Sequence, residues 1–120
     1  MMKKKYRIKK YSEIDAIFKK KISKGDNYFG VYQSADSDQL SFRFAMSIGK
    51  KYGNAVERNL AKRRIRMIVS EFKNLFSKDK RFLIIIKPQA KALTYQEMRE
   101  KLLVLFKKSK LLENEDAKTL

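Results

Sequence analysis

The segment from residue 50 to residue 66 holds the side chains best suited to bind phosphate. Seven of its residues are basic and only one is acidic. Asn54 follows Gly53 and is a good N-cap, so we expect a helix to begin there, beside Lys50 and Lys51. The free N–H groups at a helix N-terminus attract phosphate, and nearby lysines add to that attraction. The segment therefore predicts a phosphate-binding surface.

Within the predicted helix, the polar and basic side chains fall into two rows. Arg58, Lys62 and Arg66 are spaced i, i+4, i+8, which stacks them along one side. Asn59 and Arg63 form a second row beside them, and the two rows together cover an arc of about 140°. Such rows can follow a phosphate backbone, because an arginine fork clamps phosphate with two hydrogen bonds. The alternative is a solvated basic face without a partner, and charge alone does not decide between the two.

The whole chain carries the same excess of positive charge. Its 120 residues include 30 Lys plus Arg against 13 Asp plus Glu, which gives a formal net charge of +17. A compact domain with that charge repels itself, and a polyanion would neutralise it. Nucleic acid is the leading candidate and an anionic membrane surface is the second. With 43% hydrophobic residues, the chain can still form one core.

Residue types that the sequence lacks exclude several classes of chemistry. There is no Cys and no His, which excludes disulfides, thiolate metal sites and histidine-based catalysis. No apolar run approaches the ~20 residues that span a bilayer, and no apolar stretch follows the basic start as in a signal peptide. The acids are scattered, with only Glu113, Glu115 and Asp116 close in sequence, so a two-metal nuclease site is not expected. We therefore predict a soluble cytoplasmic protein with an RNA or DNA partner.

The elements that position the basic segment follow from periodicity and turn signals. In chain order they are helix 12–20 with Ser12 as N-cap, turn 24–27, strand 28–33, strand 40–48, helix 54–75, strand 82–86 and a last helix opened by a capping box at Thr94. With a third early strand the order is αβββαβα, which indicates an α+β fold, a single-domain α-β sandwich with a small mixed central sheet. We expect one RNA-binding domain over 1–120, with a basic arm over 1–10 and a frayed tail over 109–120.

Two apolar patterns predict which faces are buried. The stripe of the long helix covers about 100° and hardly overlaps the basic rows; it consists of Ala61, Ile65, Ile68, Val69, Phe72 and Phe76. In strand 40–48 one side carries Leu40, Phe42, Phe44, Met46 and Ile48, and the other carries Ser41, Arg43, Ala45 and Ser47. We therefore expect one side of the sheet to be core and the other to be open.

The spacing within the basic segment resembles the signature of the ribonuclease P protein family. Residues 50–66 match the pattern Lys-Lys-x-Gly-Asn-Ala-Val-x-Arg-Asn-x-x-Lys-Arg-x-x-Arg, and the likeness continues through most of the chain. The resemblance implies the protein subunit of a ribonucleoprotein endonuclease that removes the 5′ leader from precursor tRNA. It also implies a ribosomal protein S5 domain 2-like sheet with a left-handed βαβ crossover, although general chain rules predict a right-handed one.

Under this resemblance the catalyst is the family's RNA subunit, and Mg²⁺ is held mainly by that RNA. The protein would then have no catalytic residue, no metal site and no organic cofactor. Its partners would be the catalytic RNA and precursor tRNA, with no membrane and no obligate protein partner. The residues implied to face the catalytic RNA are Lys50, Lys51, Asn54, Arg58, Asn59, Lys62, Arg63 and Arg66.

The resemblance also places a single-stranded leader in a cleft between the first helix and the open face of the sheet. Phe18 and Tyr32 match the family's leader-contacting aromatics, and Phe29 is a further candidate. Arg43 is the charged member of its strand's outward set and could meet a leader phosphate. Core packing is the alternative for the aromatics, and a plain surface charge is the alternative for Arg43. Ile14 stands where relatives often carry Phe, which removes one stacking surface.

Two other functions fit the bulk properties. A structural RNA-binding protein, of the ribosomal or assembly-factor type, would share the size, charge and fold class. A peripheral membrane binder would need basic residues opposite a large exposed apolar helix face. The fixed Gly-Asn-Ala-Val-x-Arg-Asn spacing favours the ribonuclease P interpretation, because general basicity does not require it.

Overall fold

Three α-helices and four strands form the fold of residues 3–112, the part of the chain that this computed structural model describes. The helices are α1 (Tyr11–Lys20), α2 (Ala55–Glu71) and α3 (Tyr95–Lys108). The strands are β1 (Ser23–Gly25), β2 (Phe29–Ala35), β3 (Arg43–Ile48) and β4 (Lys80–Ile86). Short 3-10 turns cover Lys4–Tyr6, Lys50–Tyr52 and Pro88–Ala92. The element order confirms the predicted αβββαβα arrangement.

The strands form one mixed sheet in the order β1-β2-β4-β3. β4 lies inside the sheet, antiparallel to β2 and parallel to β3, with Arg43 opposite Arg81. An inner strand is shielded on both faces, which explains the unbroken apolar run that predicted it. α2 connects the parallel strands β3 and β4, so the predicted βαβ crossover is present, while its left-handed sense stays a prediction.

Helices α2 and α3 cover one face of the sheet and form the main core. Five phenylalanine rings pack against one another at its centre, and neighbouring rings have centroids 4.7 to 6.4 Å apart. These rings belong to Phe42, Phe44, Phe76, Phe82 and Phe106. All six residues of the predicted apolar stripe are buried, but α2 ends at Glu71 and not at residue 75 as predicted, so Phe72 and Phe76 follow the helix. On the opposite face, α1 places Ile17 against Ile8, Ala45 and Leu83. This is the predicted α+β sandwich.

The N-terminal arm extends the edge of the sheet at β3. The Ile8 N–H donates to the Phe44 carbonyl at 2.9 Å, and Arg7 forms a parallel bridge with the same residue. Tyr6 stacks on Phe42 with ring centroids 4.7 Å apart. Residues 6–8 are therefore docked, while residues 3–5 are exposed.

Two predicted element starts are wrong. Leu40 is 95% exposed and precedes β3, because the Gln39 amide turns back to donate to the carbonyls of Lys78 and Lys80, at 3.2 and 3.1 Å. Ser12 is not the N-cap of α1, since the helix already begins at Tyr11 and its cap position makes no side-chain hydrogen bond.

The turn at 24–27 and the frayed tail also need correction. Ser23–Gly25 pairs with β2 as an additional strand, and the reversal is made by the Asp26 carboxylate, which accepts the N–H groups of Tyr28 and Phe29 at 2.8 Å. Leu111 and Leu112 are buried, so the predicted fraying is wrong for 109–112. Residues 113–120, with Glu113, Glu115 and Asp116, lie outside the described residues.

One carboxylate fastens α1 to the sheet. Glu13 accepts hydrogen bonds from both terminal nitrogens of Arg43, at 2.7 and 3.1 Å, and Arg81 lies 3.7 Å away. Arg43 and Arg81 are neighbours across β3 and β4, so this acid offsets two adjacent positive charges. The hydrogen bonds from Arg43 lower the pKa of the Glu13 carboxyl below its ordinary value.

We expect Glu13→Gln to reduce the free energy of unfolding by about 1 kcal/mol near neutral pH. A carboxyl with a lowered folded-state pKa contributes stability that is present above its unfolded pKa and lost as the pH falls through the folded one. The difference between wild type and Glu13→Gln should therefore shrink toward zero in acid, as measured by urea unfolding between about pH 7 and about pH 3.

Asp15→Asn is the matched control, because Asp15 pairs with Lys19 on its own helix, at 3.0 Å, and with no other cation among residues 3–112. It should cost less than Glu13→Gln near neutral pH. A loss in Glu13→Gln that is equal to the control at every pH would contradict the fastening role.

Candidate nucleic-acid interface

A reciprocal cap fixes the N-terminus of α2. Asn54 Oδ1 accepts the N–H of Glu57, and the Glu57 carboxylate accepts the N–H of Asn54, both at 2.9 Å. Glu57 also pairs with Lys91 at 2.8 Å, and these bonds hold the pKa of its carboxyl below the ordinary value. A Cβ at Gly53 would collide with that carboxylate. Asn54 is therefore confirmed as the N-cap, while its capping partner Glu57 was missed from the sequence.

The turn before this cap presents two lysines beside the start of the helix. Within Lys50–Tyr52, Tyr52 is buried in the main core, and burial raises the pKa of its phenol. Lys50 and Lys51 are exposed. The buried ring anchors the turn, so both lysines stand next to the free N–H groups of α2, where an anion would be attracted.

The two rows on α2 lie beside its buried stripe and outside the main core. The second row, Asn59 and Arg63, is exposed. The first row is half-buried: Arg58 Nη1 donates to the Gly53 carbonyl at 2.7 Å, while Lys62 and Arg66 line a cavity beside the arm. The structure thus keeps the predicted basic residues together on one side of α2. One terminal nitrogen of Arg58 is already hydrogen-bonded to the turn that precedes the helix.

An aromatic pair lies on the open face of the sheet. Phe18 of α1 is 46% exposed, and its ring centroid lies 4.8 Å from that of Tyr32 on β2. The two rings line a cavity of about 220 Å³ together with Gly30, Lys24 and Lys87. Exposed rings next to lysines form the kind of surface that binds single-stranded nucleic acid. Phe18 therefore lies outside the main core, whereas the alternative of core packing would have buried its ring there.

The other two candidates for leader contact occupy different environments. Phe29 is fully buried in the main core, because alternation along β2 places it on the opposite face from Tyr32. Its predicted place on the open face is therefore wrong. Arg43 does lie on that face, but its guanidinium is bonded to Glu13, so a phosphate would have to replace the carboxylate.

Sequence reasoning missed several basic residues of the open face. Arg81 shares it with Arg43 and donates from Nε to the Ser34 hydroxyl at 3.3 Å. Lys24 and Lys87 line the cavity of the aromatic pair. Because the run of β4 is apolar throughout, its sequence does not show which side chains lie on the open face. The pairing of β4 with β2 and β3 shows this.

The described acids do not form a metal site. Within residues 3–112, no three His, Cys, Asp or Glu side chains are grouped so that they could hold a metal ion. Glu13, Glu57 and Glu71 are each bonded to a cation, and the partner of Glu71 is Arg99. In the same range, no helix combines the length and the apolar character needed to cross a membrane.

We expect Gly53→Ala to lower the free energy of unfolding by about 1–2 kcal/mol, because the added Cβ displaces the Glu57 carboxylate and opens the cap. Gly49→Ala is the control, since a Cβ there meets nothing within 4 Å. Urea unfolding should also show that Gly53→Ala costs much less in a Glu57→Ala background, which removes the carboxylate that the added Cβ would meet. Additive losses in the double variant would contradict this explanation.

Comparison with known proteins matches the chain to one family. The family model described as Ribonuclease P matches residues 2–110. The ribonuclease P protein component of Acholeplasma laidlawii is 46% identical over 114 residues, which cover 95% of this chain and 97% of that protein. The ribonuclease P protein component of Bacillus cereus (strain B4264) is 42% identical over 108 residues, which cover 90% of this chain and 94% of that protein.

Solved structures lead to the same family. An RNase P protein of Staphylococcus aureus matches with a TM-score of 0.84 at 33% identity, covering 90% of this chain and 98% of that one. An RNase P protein of Thermotoga maritima matches with a TM-score of 0.76 at 26% identity, covering 85% and 96%. Sequence and fold agree over nearly the full length, and the chain belongs to the ribonuclease P protein family.

Proposed function

We propose that the chain is the protein subunit of ribonuclease P, which acts in the cytoplasm to remove the 5′ leader of precursor tRNA. The basic side of α2 with the Lys50–Tyr52 turn binds the catalytic RNA, and the open face of the sheet binds the single-stranded leader. The observation that carries the proposal is that the signature segment folds into a helix with one buried apolar side and one basic side, in a member of this family.

The distribution of charge around α2 supports the contact with catalytic RNA. Both acids of the helix, Glu57 and Glu71, are bonded inside the protein. Lys50, Lys51 and Arg63 are exposed and make no salt bridge in the described part of the chain. Cations without partners gain most from neutralising phosphates, which also releases counterions from RNA.

The aromatic cavity supports the contact with the leader. An unpaired base can stack on the exposed ring of Phe18, which Tyr32 holds from behind at a centroid distance of 4.8 Å. Lys24 is exposed at the same cavity and is free to meet a phosphate, whereas Lys87 already donates to the Asp26 carbonyl at 2.6 Å. The site therefore combines one stacking surface with one available positive charge.

Catalysis in this proposal belongs to the RNA subunit, and the Mg²⁺ ions of the reaction are held mainly by RNA. The acids of residues 3–112 do not fit a protein-bound pair of metal ions, which would need clustered carboxylates. The protein supplies positive charge that lets RNA helices approach one another, and it holds the leader. Its effect should therefore be largest at low Mg²⁺, where fewer other cations screen the RNA.

Reconstitution tests the proposal. The protein is mixed with a bacterial ribonuclease P RNA and a leader-bearing precursor tRNA, and cleavage is followed at low and at high Mg²⁺. We expect cleavage at low Mg²⁺ only when the protein is present. A general RNA-binding protein of the ribosomal type would not restore cleavage at low Mg²⁺. If addition of this protein left cleavage at low Mg²⁺ unchanged, the proposal would be contradicted.

Removal of three exposed cations should weaken binding to the catalytic RNA. We expect Lys50→Ala, Lys51→Ala and Arg63→Ala together to reduce the salt dependence of the affinity, with the slope of log K against log salt smaller by about 2 to 3. The charge-matched control changes Lys78, Lys107 and Lys108 to Ala, all of them exposed and none of them part of α2 or of the Lys50–Tyr52 turn. Equal slopes for both triple variants would show that only net charge matters.

Removal of the exposed ring should affect the leader alone. We expect Phe18→Ala to weaken holoenzyme binding to leader-bearing precursor by about 1–3 kcal/mol, roughly 5- to 150-fold, and to leave binding of mature tRNA unchanged. Tyr11→Ala is the control, because Tyr11 is a 79% exposed aromatic on the same helix that does not line the cavity. Equal losses for precursor and mature tRNA would contradict the assignment.

A further inference from the structure

The strand β2 contains a glycine, Gly30, between Phe29 and Val31. Glycine in the interior of a strand lowers stability, because it has no side chain to pack and gives the unfolded chain more conformational freedom. Phe29 and Val31 belong to the main core, so Gly30 lies on the open face of the sheet with Tyr32. Gly30 therefore costs stability at a position that faces a candidate binding site.

Neither the backbone nor the packing at this position requires glycine. Gly53 is the only glycine with a positive φ angle among residues 3–112, and Gly30 has an ordinary strand conformation. A Cβ added at Gly30 would lie 3.6 and 3.8 Å from two atoms of the Ile85 side chain, which is ordinary van der Waals contact. Alanine would thus fit into the free protein without strain.

Gly25 provides a contrast, because it is paired with Gly30 across β1 and β2. A Cβ at Gly25 would lie 3.1 Å from the Phe29 carbonyl oxygen, so the tight reversal that follows Gly25 accounts for this glycine. The protein itself thus explains Gly25 but not Gly30. A strand glycine without a structural reason often marks a place where a ligand approaches the backbone closely.

The space above Gly30 is the cavity of about 220 Å³ that the Phe18–Tyr32 pair also lines. Gly25 and Gly30 lie side by side and leave the floor of this cavity as bare backbone. The two aromatic rings border this floor along β2, and Ile85 borders it across the pairing with β4. A flat floor with apolar borders suits an unpaired nucleobase, which is planar and stacks on aromatic side chains.

We propose that Gly30 determines the size of the nucleobase that the leader can place beside the Phe18–Tyr32 pair. The missing side chain gives the cavity its depth, so the larger ring system of a purine reaches the backbone floor of β2. Any side chain at position 30 would fill that space. The inference deepens the proposed function and rests on it for the leader as the source of the base.

Two alternative roles for Gly30 make different predictions. If the fold required this glycine, its replacement would lower the unfolding temperature of the free protein. If the glycine had no role, its replacement would leave RNA binding unchanged. Only the size-selecting role predicts that stability is kept or raised while binding of the leader is weakened.

The first experiment measures thermal unfolding of the free protein for wild type, Gly30→Ala, Gly30→Val and Ala35→Val. Ala35→Val is the control, because Ala35 is exposed at the end of the same strand and does not line the cavity. We expect Gly30→Ala to unfold at or above the wild-type temperature, since alanine restricts the unfolded chain and removes no contact. An unfolding temperature clearly below wild type would show a structural glycine and overturn the proposal.

The second experiment measures the affinity of the holoenzyme for mature tRNA and for precursor tRNA whose leader is entirely adenosine or entirely uridine. We expect affinity for the adenosine-leader precursor to fall roughly threefold in Gly30→Ala and roughly tenfold in Gly30→Val. Affinity for the uridine-leader precursor should fall less, because a pyrimidine needs less depth. Binding of mature tRNA should not change, and Ala35→Val should match wild type with all three RNAs.

Two results of the binding experiment would overturn the proposal. One is wild-type affinity of both Gly30 variants for the adenosine-leader precursor. The other is an equal loss for the adenosine and uridine leaders, which would mean that Gly30 does not select by base size. Gly30→Ala keeps the experiment decisive if Gly30→Val does not fold.

Failure of the proposed function would give a different result. If the wild-type holoenzyme bound the precursors no more tightly than mature tRNA, the leader contact itself would fail. If Phe18→Ala weakened binding of the precursors while both Gly30 variants kept wild-type affinity, only the role of Gly30 would fail.

Discussion

The placement of a few carboxylates decides which cations of this domain are available to RNA. Glu13 joins α1 to Arg43 of β3, Glu57 caps α2 and bonds to Lys91, and Glu71 joins α2 to Arg99 of α3. Each of these acids lies where two elements meet, so it offsets repulsion at a junction of a chain with a formal net charge of +17. The cations of the Lys50–Tyr52 turn and of the exposed row on α2 have no acidic partner among residues 3–112.

The same division appears between the two faces of the sheet. One face is closed by α2 and α3 around a cluster of phenylalanine rings, which supplies the burial that a strongly basic chain needs to fold. The other face is covered only in part by α1 and keeps an exposed ring, Phe18, beside Tyr32. Burial on one face thus leaves the opposite face free for a ligand.

Local signals in the sequence predicted the central helix well. The Gly-Asn turn, the apolar stripe and the basic rows all depend on neighbours within a few turns, and the structure places Asn54 at the cap and the stripe in the core. The capping box at Thr94 is local too, and it is confirmed. These elements require no knowledge of the rest of the chain.

Features that depend on strand pairing were not predictable in the same way. Phe29 has the same residue type as Phe18, and only the register of β2 shows that it is buried. The strand β1 has a turn-like composition, which hides it in the sequence. The bond between Glu13 and Arg43 and the docking of the arm on Phe44 both join residues that are distant in sequence. Aligned homologous sequences would be the natural source of such nonlocal information.

Directed cleavage of RNA from single positions tests the central claim that α2 faces the catalytic RNA and the open sheet face meets the leader. The chain has no Cys, so one Cys can be introduced for an iron-chelate probe at Val56 on α2, at Ile22 beside the open face, or at Val104 on α3, all of them exposed. In the holoenzyme with precursor tRNA, the account predicts cuts in the catalytic RNA from Val56→Cys, cuts in the leader from Ile22→Cys, and few cuts from Val104→Cys. Strong cleavage of the catalytic RNA from Val104→Cys with none from Val56→Cys would contradict it.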